Sequence, residues 1–252
     1  KAPSYNSIFR YLGNPELTPM LKSLISASAA PLKAIETDFA IDATGIGTVA
    51  YERWYDYKYG SEEAREHNRH VWVKLHAMCG VKTNVVVGVE VTPGNTADPT
   101  QAVSIIKQAA KGGFKMLEVS ADKAYSSHEI VSQITAQGAT PFIPFRAGTG
   151  EGVGSPELWR KLFHYFQWNR ENFLRHYHKR SNIETTFHMI KSKFGAAIRS
   201  KNQIAQTNEV LLKVLLHNLC VLVSSMYELG IEPSLWMPEH LASEKTTERR
   251  PL

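Results

Sequence analysis

Near residue 98 the hydrophobic pattern of this chain changes, and no other feature narrows its fold as much. Upstream lie three strand-like runs with no helix between them. The first, 38-DFAIDAT-44, is short and apolar. The second, 71-VWVKLHAM-78, alternates cleanly, with Val71, Val73, Leu75 and Ala77 on one side and Trp72, Lys74 and His76 on the other. The third, 85-VVVGVEV-91, follows the turn residues Lys82, Thr83 and Asn84. Strands joined without helices predict an antiparallel meander. Downstream the pattern becomes strand–helix alternation. A helix is predicted over 98–113, with Asp98 as N-cap, Pro99 at the first helical position and Gly112–Gly113 as the stop. Strand 116–122, helix 127–138 and strand 139–145 follow, which predicts parallel pairing with helices on the sheet faces.

A meander feeding a parallel half predicts an α/β fold: a ribonuclease H-like mixed sheet flanked by helices. Around it, residues 1–37 read as a helical connector in which 17-LTPMLKSLISASA-29 has apolar helical spacing, Thr18 as N-cap and Pro19 at the first helical position. Residues 38–230 form the ribonuclease H-like domain on this reading, and 231–252 a weakly patterned tail. Segment 51–70 reads as an exposed hairpin or loop, and 146–155 as a glycine-rich loop. No secretory signal opens the chain, and Lys1 in place of an initiator Met reads as a fragment missing its natural start.

Composition excludes little but directs attention. The most membrane-like run, 210-VLLKVLLHNLCVLVSSM-226, is interrupted by Lys213, His217 and Asn218, so a buried helix is predicted and no membrane partner. Cys79 and Cys220 make neither a disulfide framework nor a metal pair, which points to a reduced, intracellular setting. The net charge is +5, yet the stretch 170–201 alone holds eight cations (Arg170, Arg175, Lys179, Arg180, Lys191, Lys193, Arg199, Lys201) against Glu171 and Glu184. Such clustering is the footprint of a polyanion such as the DNA backbone, although a solvated helix face also accounts for it.

The helical segment 177-YHKRSNIETTFHMIK-191 concentrates the question. On a wheel of about 100° per residue, Tyr177, Arg180, Glu184 and Lys191 share an arc of about 60°, beside an apolar stripe of Ile183, Phe187, Ile190 and Phe194. Glu184 thus stands at the edge of the core, where a carboxylate needs a positive partner. An i,i+4 pair with Arg180 supplies one but leaves Lys191 unexplained. A metal ion accounts for the glutamate and frees the cations for phosphate oxygens, but it needs more carboxylates. Asp42 sits inside one apolar strand and Asp122 ends another. Each alone reads equally as a cap or turn residue. Two aspartates and one glutamate are the oxygen donors that suit Mg²⁺ or Mn²⁺, and two such ions can drive phosphodiester hydrolysis.

At these residues the chain resembles the DDE transposases of bacterial insertion sequences, in the group named after insertion sequence four. The resemblance rests on 41-IDATG-45, 121-ADKAYSS-127 and the Tyr-x2-Arg-x3-Glu-x6-Lys signature met by Tyr177, Arg180, Glu184 and Lys191, supported by 72-WVKLHAM-78 and 92-TPGNTAD-98. It covers nearly the whole chain. It implies that Asp42, Asp122 and Glu184 are catalytic and bind two Mg²⁺ or Mn²⁺ ions. It also implies that Tyr177, Arg180 and Lys191 contact phosphates, to which Lys123 and Lys193 are added as DNA-binding candidates. The implied activity is metal-dependent cleavage of double-stranded DNA at transposon ends, then strand transfer, within a synaptic homodimer in the bacterial cytoplasm at the nucleoid. Some relatives carry a β-rich insertion before the glutamate, with a tryptophan that holds a flipped base. Only 62 positions separate Asp122 from Glu184 here, and Trp159 and Trp168 fall in a helical pattern. The family's end-recognition segment would lie upstream, where this chain is short.

Two other readings stay open: a ribonuclease H-like endonuclease that cuts without joining, and a domesticated DNA-binding protein without catalysis. Asp38, four residues before Asp42, is a decoy or a supporting group. Lys74 could touch DNA. His176, His178, His67 and His70 lack cysteine company for zinc. The run Trp54, Tyr55, Tyr57, Tyr59 suits hairpin packing better than base stacking.

Overall fold

The computed structural model describes residues 4–48, 72–146, 148–150 and 156–232. The readings made on 51–70, including its histidine pair and aromatic run, lie outside these residues, as does all but the start of the tail. The alternating strand β2 (Trp72–Gly80) pairs antiparallel with β1 (Asp38–Thr48) on one side and β3 (Val86–Pro93) on the other. After helix α3 (Pro99–Lys111), strand β4 (Glu118–Ala121) returns parallel to β1. Helix α4 (His128–Ala136) then leads to β5 (Thr140–Phe142), parallel to β4. The sheet order is β3-β2-β1-β4-β5, and a two-residue strand β6 (Ala197–Ile198) pairs with the far end of β1. The meander, the parallel half and the ribonuclease H-like mixed sheet are therefore as the pattern predicts.

Period two sorts β1 onto both faces. Phe39 and Ile41 enter a core with Ile105, Ile106, Ile130 and Ile134 of α3 and α4. Ala40 and Ile46 enter a second core with Ile183, Phe187 and Ile190 of α7 (Ser181–Phe194) and Val210, Leu211 and Val214 of α8 (Gln203–Leu229). Helix α2 (Leu17–Ala29), after the short α1 (Tyr5–Leu12), adds Leu21 and Ile25 to that second core, so part of the connector packs as core. A third cluster joins Phe142 and Phe145 to α5 (Glu157–Trp168) and α6 (Arg170–Tyr177) through Trp159, Phe166 and Phe173. Helix α3 crosses β3 closely at Gly88, where a Cβ would lie 2.5 Å from the carbonyl oxygen of Ile105.

Several local expectations are corrected. Thr18 lies inside α2, not at its cap, and its hydroxyl donates to Asn208 Oδ1 at 2.7 Å. Asp98 occupies the N-cap position of α3 without capping it, because its carboxylate instead accepts from Lys74 Nζ at 2.9 Å. That bond and one to the Thr96 carbonyl occupy the Lys74 ammonium. Other readings hold: Ser127 caps α4, accepting from the Ile130 N–H, and Asp122 caps the 3₁₀ turn Lys123–Tyr125 through the Lys123 N–H. The segment 177–191 is not one regular helix, since a 3₁₀ turn at His178–Arg180 separates α6 from α7. Helix α8 is long and apolar enough to cross a membrane by length and composition. Its Lys213, His217 and Asn218 are buried and bonded within the protein, Lys213 to the carbonyls of Gly195 and Ala197.

Candidate active site

Register builds the first half of the site. In the parallel pair β1–β4, Asp38 stands beside Glu118 and Ile41 beside Ala121. One step further, Asp42 and Asp122 fall side by side, on the sheet face that α7 covers. Asp122 leaves the strand in extended conformation, and one of its oxygens accepts the Lys123 N–H at 2.6 Å. Asp42 Oδ1 accepts the Ala43 N–H at 2.8 Å. Both aspartates thus have one oxygen fixed by the backbone.

Helix α7 supplies the second half. Its buried stripe seats the helix on the sheet and leaves Glu184 at the rim, more than half exposed. The Arg180 guanidinium joins the two halves, with Nη1 donating to Asp42 Oδ2 and Nη2 to Glu184 Oε1. One planar fork therefore spans two of the three carboxylates. Burial raises the Asp42 pKa above its ordinary value. The Ala43 N–H and then Arg180 oppose the rise, while Asp122 and Glu184 add to it. Asp42 therefore lies within electrostatic reach of both Asp122 and Glu184. Burial works against the charge on Arg180, but Asp42 and the bond to Glu184 outweigh it and hold its pKa high.

The remaining candidates divide. Tyr177 packs on the third core cluster and acts electrostatically on Arg180. Lys191 reaches Thr44, two residues past Asp42 on the same face of β1, donating to its hydroxyl at 2.7 Å. Burial lowers the Lys191 pKa, and no carboxylate among the described residues pairs with it. Lys123 is exposed and, with Asp122, Ala124 and Arg146, lines an open cavity of about 360 Å³. Lys193 is not part of this group. It stands nine residues beyond Glu184, about half a turn out of phase, and faces a cleft of about 760 Å³ with Lys82, His217 and Cys220.

Two residues were misjudged or missed in the sequence. Lys179, counted with the phosphate-facing cations, is held by Asp38 and Glu118. Arg146 of the glycine-rich loop donates to the carbonyls of Lys123 and Ala124 and fixes the turn after Asp122. Its one sequence signal is a cation closing the strand-like run 139–145. Trp159 is buried against His128 and Phe145, whereas Trp168 is exposed and stacks on His164. Among the described residues between Asp122 and Glu184, β5 is the only strand.

The donor set is all carboxylate oxygen, which suits a hard divalent cation, and the raised Asp42 pKa marks a place where added positive charge is favourable. As the side chains lie, no three His, Cys, Asp or Glu residues among those described form a ready ligand cluster. Arg180 engages one oxygen of Asp42 and one of Glu184.

A mixed sheet with aspartates on neighbouring central strands and a glutamate on the helix above defines the ribonuclease H-like class of phosphoryl-transfer proteins. Residues 33–219 match the family model described as Transposase DDE domain, so the chain belongs to the DDE transposase family, whose members bind DNA and carry nuclease and transposase activity.

Proposed function

We propose that this chain is the catalytic domain of a transposase of the insertion sequence four type. On this reading it hydrolyses phosphodiesters at the ends of a DNA element and joins the freed 3′ hydroxyl to target DNA. The observation that carries the reading is the β1–β4 register, which sets Asp42 beside Asp122, with Arg180 tying Asp42 to Glu184. Asp42, Asp122 and Glu184 would hold two Mg²⁺ or Mn²⁺ ions. Bound there, such ions supply the charge that activates a water and stabilises the leaving oxygen.

The chain's own residues do the rest. The Ala43 and Lys123 N–H groups orient the two aspartates. Arg180 alternates between the carboxylates and a phosphate oxygen, for which its fork geometry is suited. Lys191, desolvated and without a carboxylate partner, is a second phosphate contact, Lys123 a third and the Tyr177 hydroxyl a fourth. Double-stranded DNA is the substrate, a homodimer the working unit and the bacterial cytoplasm the setting.

The decisive assay uses end-labelled duplex with Mg²⁺ or Mn²⁺. Wild type should nick the DNA and join pre-cut donor ends. Asp122→Asn should lose cleavage by roughly 10³-fold or more, on the scale of a lost electrostatic contact in the transition state, and should lose Mn²⁺ binding in calorimetry. Unchanged metal affinity and cleavage in that variant would falsify the catalytic reading. Cutting without joining would identify an endonuclease, and binding without cutting a domesticated DNA-binding protein.

A further inference from the structure

The register that brings Asp42 into line with Asp122, one step past its last pair, also pairs Asp38 with Glu118, four residues earlier. Period two places both rungs on the same face, roughly 13 Å apart along β1. The sheet therefore presents two acidic rungs to the turn between α6 and α7. Consecutive residues of that turn serve one rung each. Lys179 Nζ donates to Asp38 Oδ2 and Glu118 Oε2, each at 2.7 Å, and Arg180 serves Asp42 on the other rung.

The lower rung is fixed on its own. Glu118 also bonds His176 Nδ1 at 2.9 Å, and the His176 ring stacks on Phe142 with centroids 4.5 Å apart. The Lys179 carbonyl accepts from Asn182 Nδ2, which ties the turn to the first turn of α7. Lys179 is thus held by two strands and the helix that follows, and its partner Glu118 is itself held by His176. A one-residue slip of a 3₁₀ turn rotates its side chains by about 120° and would carry Arg180 off Asp42. Burial works against the charge on Lys179, but its bonds to Asp38 and Glu118 keep its pKa above the ordinary lysine value.

We propose that Lys179 is a positioning residue: by closing the Asp38–Glu118 rung it sets the angular phase of the 178–180 turn and so aims Arg180 at Asp42 and Glu184. The functional consequence rests on the phosphate contact proposed for Arg180, but the positioning itself can be read without it. Lys179 is then an internal clamp, not one of the DNA-facing cations.

The test combines Lys179→Met, Lys179→Arg and Arg180→Ala, each checked for folding by thermal melt. Two readouts are taken: the Arg180 Nε–H resonance, assigned with Arg180→Lys, and affinity for fluorescein-labelled duplex in Ca²⁺. Lys179→Met should move the Arg180 resonance toward that of exposed arginines and speed its exchange with solvent. It should also weaken duplex binding by roughly tenfold, about the loss of one hydrogen bond to a charged group. Lys179→Arg should restore both readouts. In the Arg180→Ala background Lys179→Met should add no further loss.

A folded Lys179→Met with an unmoved Arg180 resonance overturns the proposal, as does a loss of equal size in the Arg180→Ala background. If Lys179→Met does not fold, the pair Asp38→Asn and Glu118→Gln removes the same anchor and takes the same readouts. If Arg180→Ala leaves duplex binding unchanged, the phosphate role of Arg180 fails, and the resonance alone decides whether Lys179 positions it.

Discussion

Asp42 is a part-buried carboxylate whose charge the fold opposes. Its folded pKa lies above the reference value of 3.8, mainly through burial. A carboxyl whose pKa rises on folding binds its proton more tightly in the folded chain. That contribution is complete below pH 3.8 and is lost as pH climbs through the folded value. Ionising this carboxyl is therefore a net strain on the fold, one that Arg180 relieves in part. Asp42→Asn should raise the melting temperature without divalent ions, each kcal/mol gained appearing as about 2–4 °C for a chain of this size. Wild type should gain about 2.7 kcal/mol when Mn²⁺ stands at a hundredfold excess over its Kd, and the variant none. A melting temperature of Asp42→Asn that still climbs with Mn²⁺ would show that Asp42 is not a ligand.

The identity of such residues was legible in the sequence, because a carboxylate within an apolar strand is conspicuous. Their neighbours were not. Asp38 and Asp42 look alike at period two, and only the cation that meets each one separates them. The same holds for Lys179 and Arg180, adjacent in sequence and committed to different rungs.

At the scale of elements, the edge of the sheet shows how far a local pattern reaches. Strand β3 is an edge strand, and its Val86 uses a side chain as substitute partner. The Val86 N–H donates to Asn218 Oδ1 at 2.8 Å, and Asn218 Nδ2 returns a bond to the Val86 carbonyl at 2.8 Å. The same amide nitrogen donates to the Ile25 carbonyl and Ser28 Oγ, joining α8, α2 and β3. Asn218→Ala leaves the Val86 N–H and carbonyl buried and unpaired. It should lower stability by about 2–4 kcal/mol with the fold retained, read from the urea midpoint. In the sequence Asn218 was an interruption in an apolar run and nothing more. Helix α7 was legible through its stripe of Ile183, Phe187 and Ile190, all of which point into the core. The break before it was not, because a 3₁₀ turn keeps helical dihedrals and leaves little trace in the pattern.

At the scale of the whole molecule, two buried histidines set the response to acid. Burial lowers the pKa of His76 and of His217, and the His217 ring bonds the Asn84 carbonyl. Both stay neutral in the fold and take up protons readily when it opens. Their contribution is intact above the reference pKa of 6.5 and is lost as pH falls below it toward the folded values. Urea unfolding should therefore show stability falling from pH 7 to pH 5, with a slope of up to about 2.7 kcal/mol per pH unit for two protons. Asp42 works in the opposite sense. A flat profile over that interval would mean that the two rings are more accessible to protonation than their burial implies.

By itself the sequence determined which segments are strands and helices, which faces they bury and which carboxylates stand out. These are matters of period, and period is local: side chains repeat every two or 3.6 residues whatever the rest of the chain does. What only the tertiary structure decided is adjacency. The β1–β4 register makes rungs of Asp38 with Glu118 and Asp42 with Asp122. The 3₁₀ turn deals Lys179 to one rung and Arg180 to the other, and the phase of α7 turns Lys193 away from Glu184. Partners so far apart along the chain are chosen when strands pair and helices dock. That choice minimises the energy of the whole core at once and leaves no periodic mark on the chain.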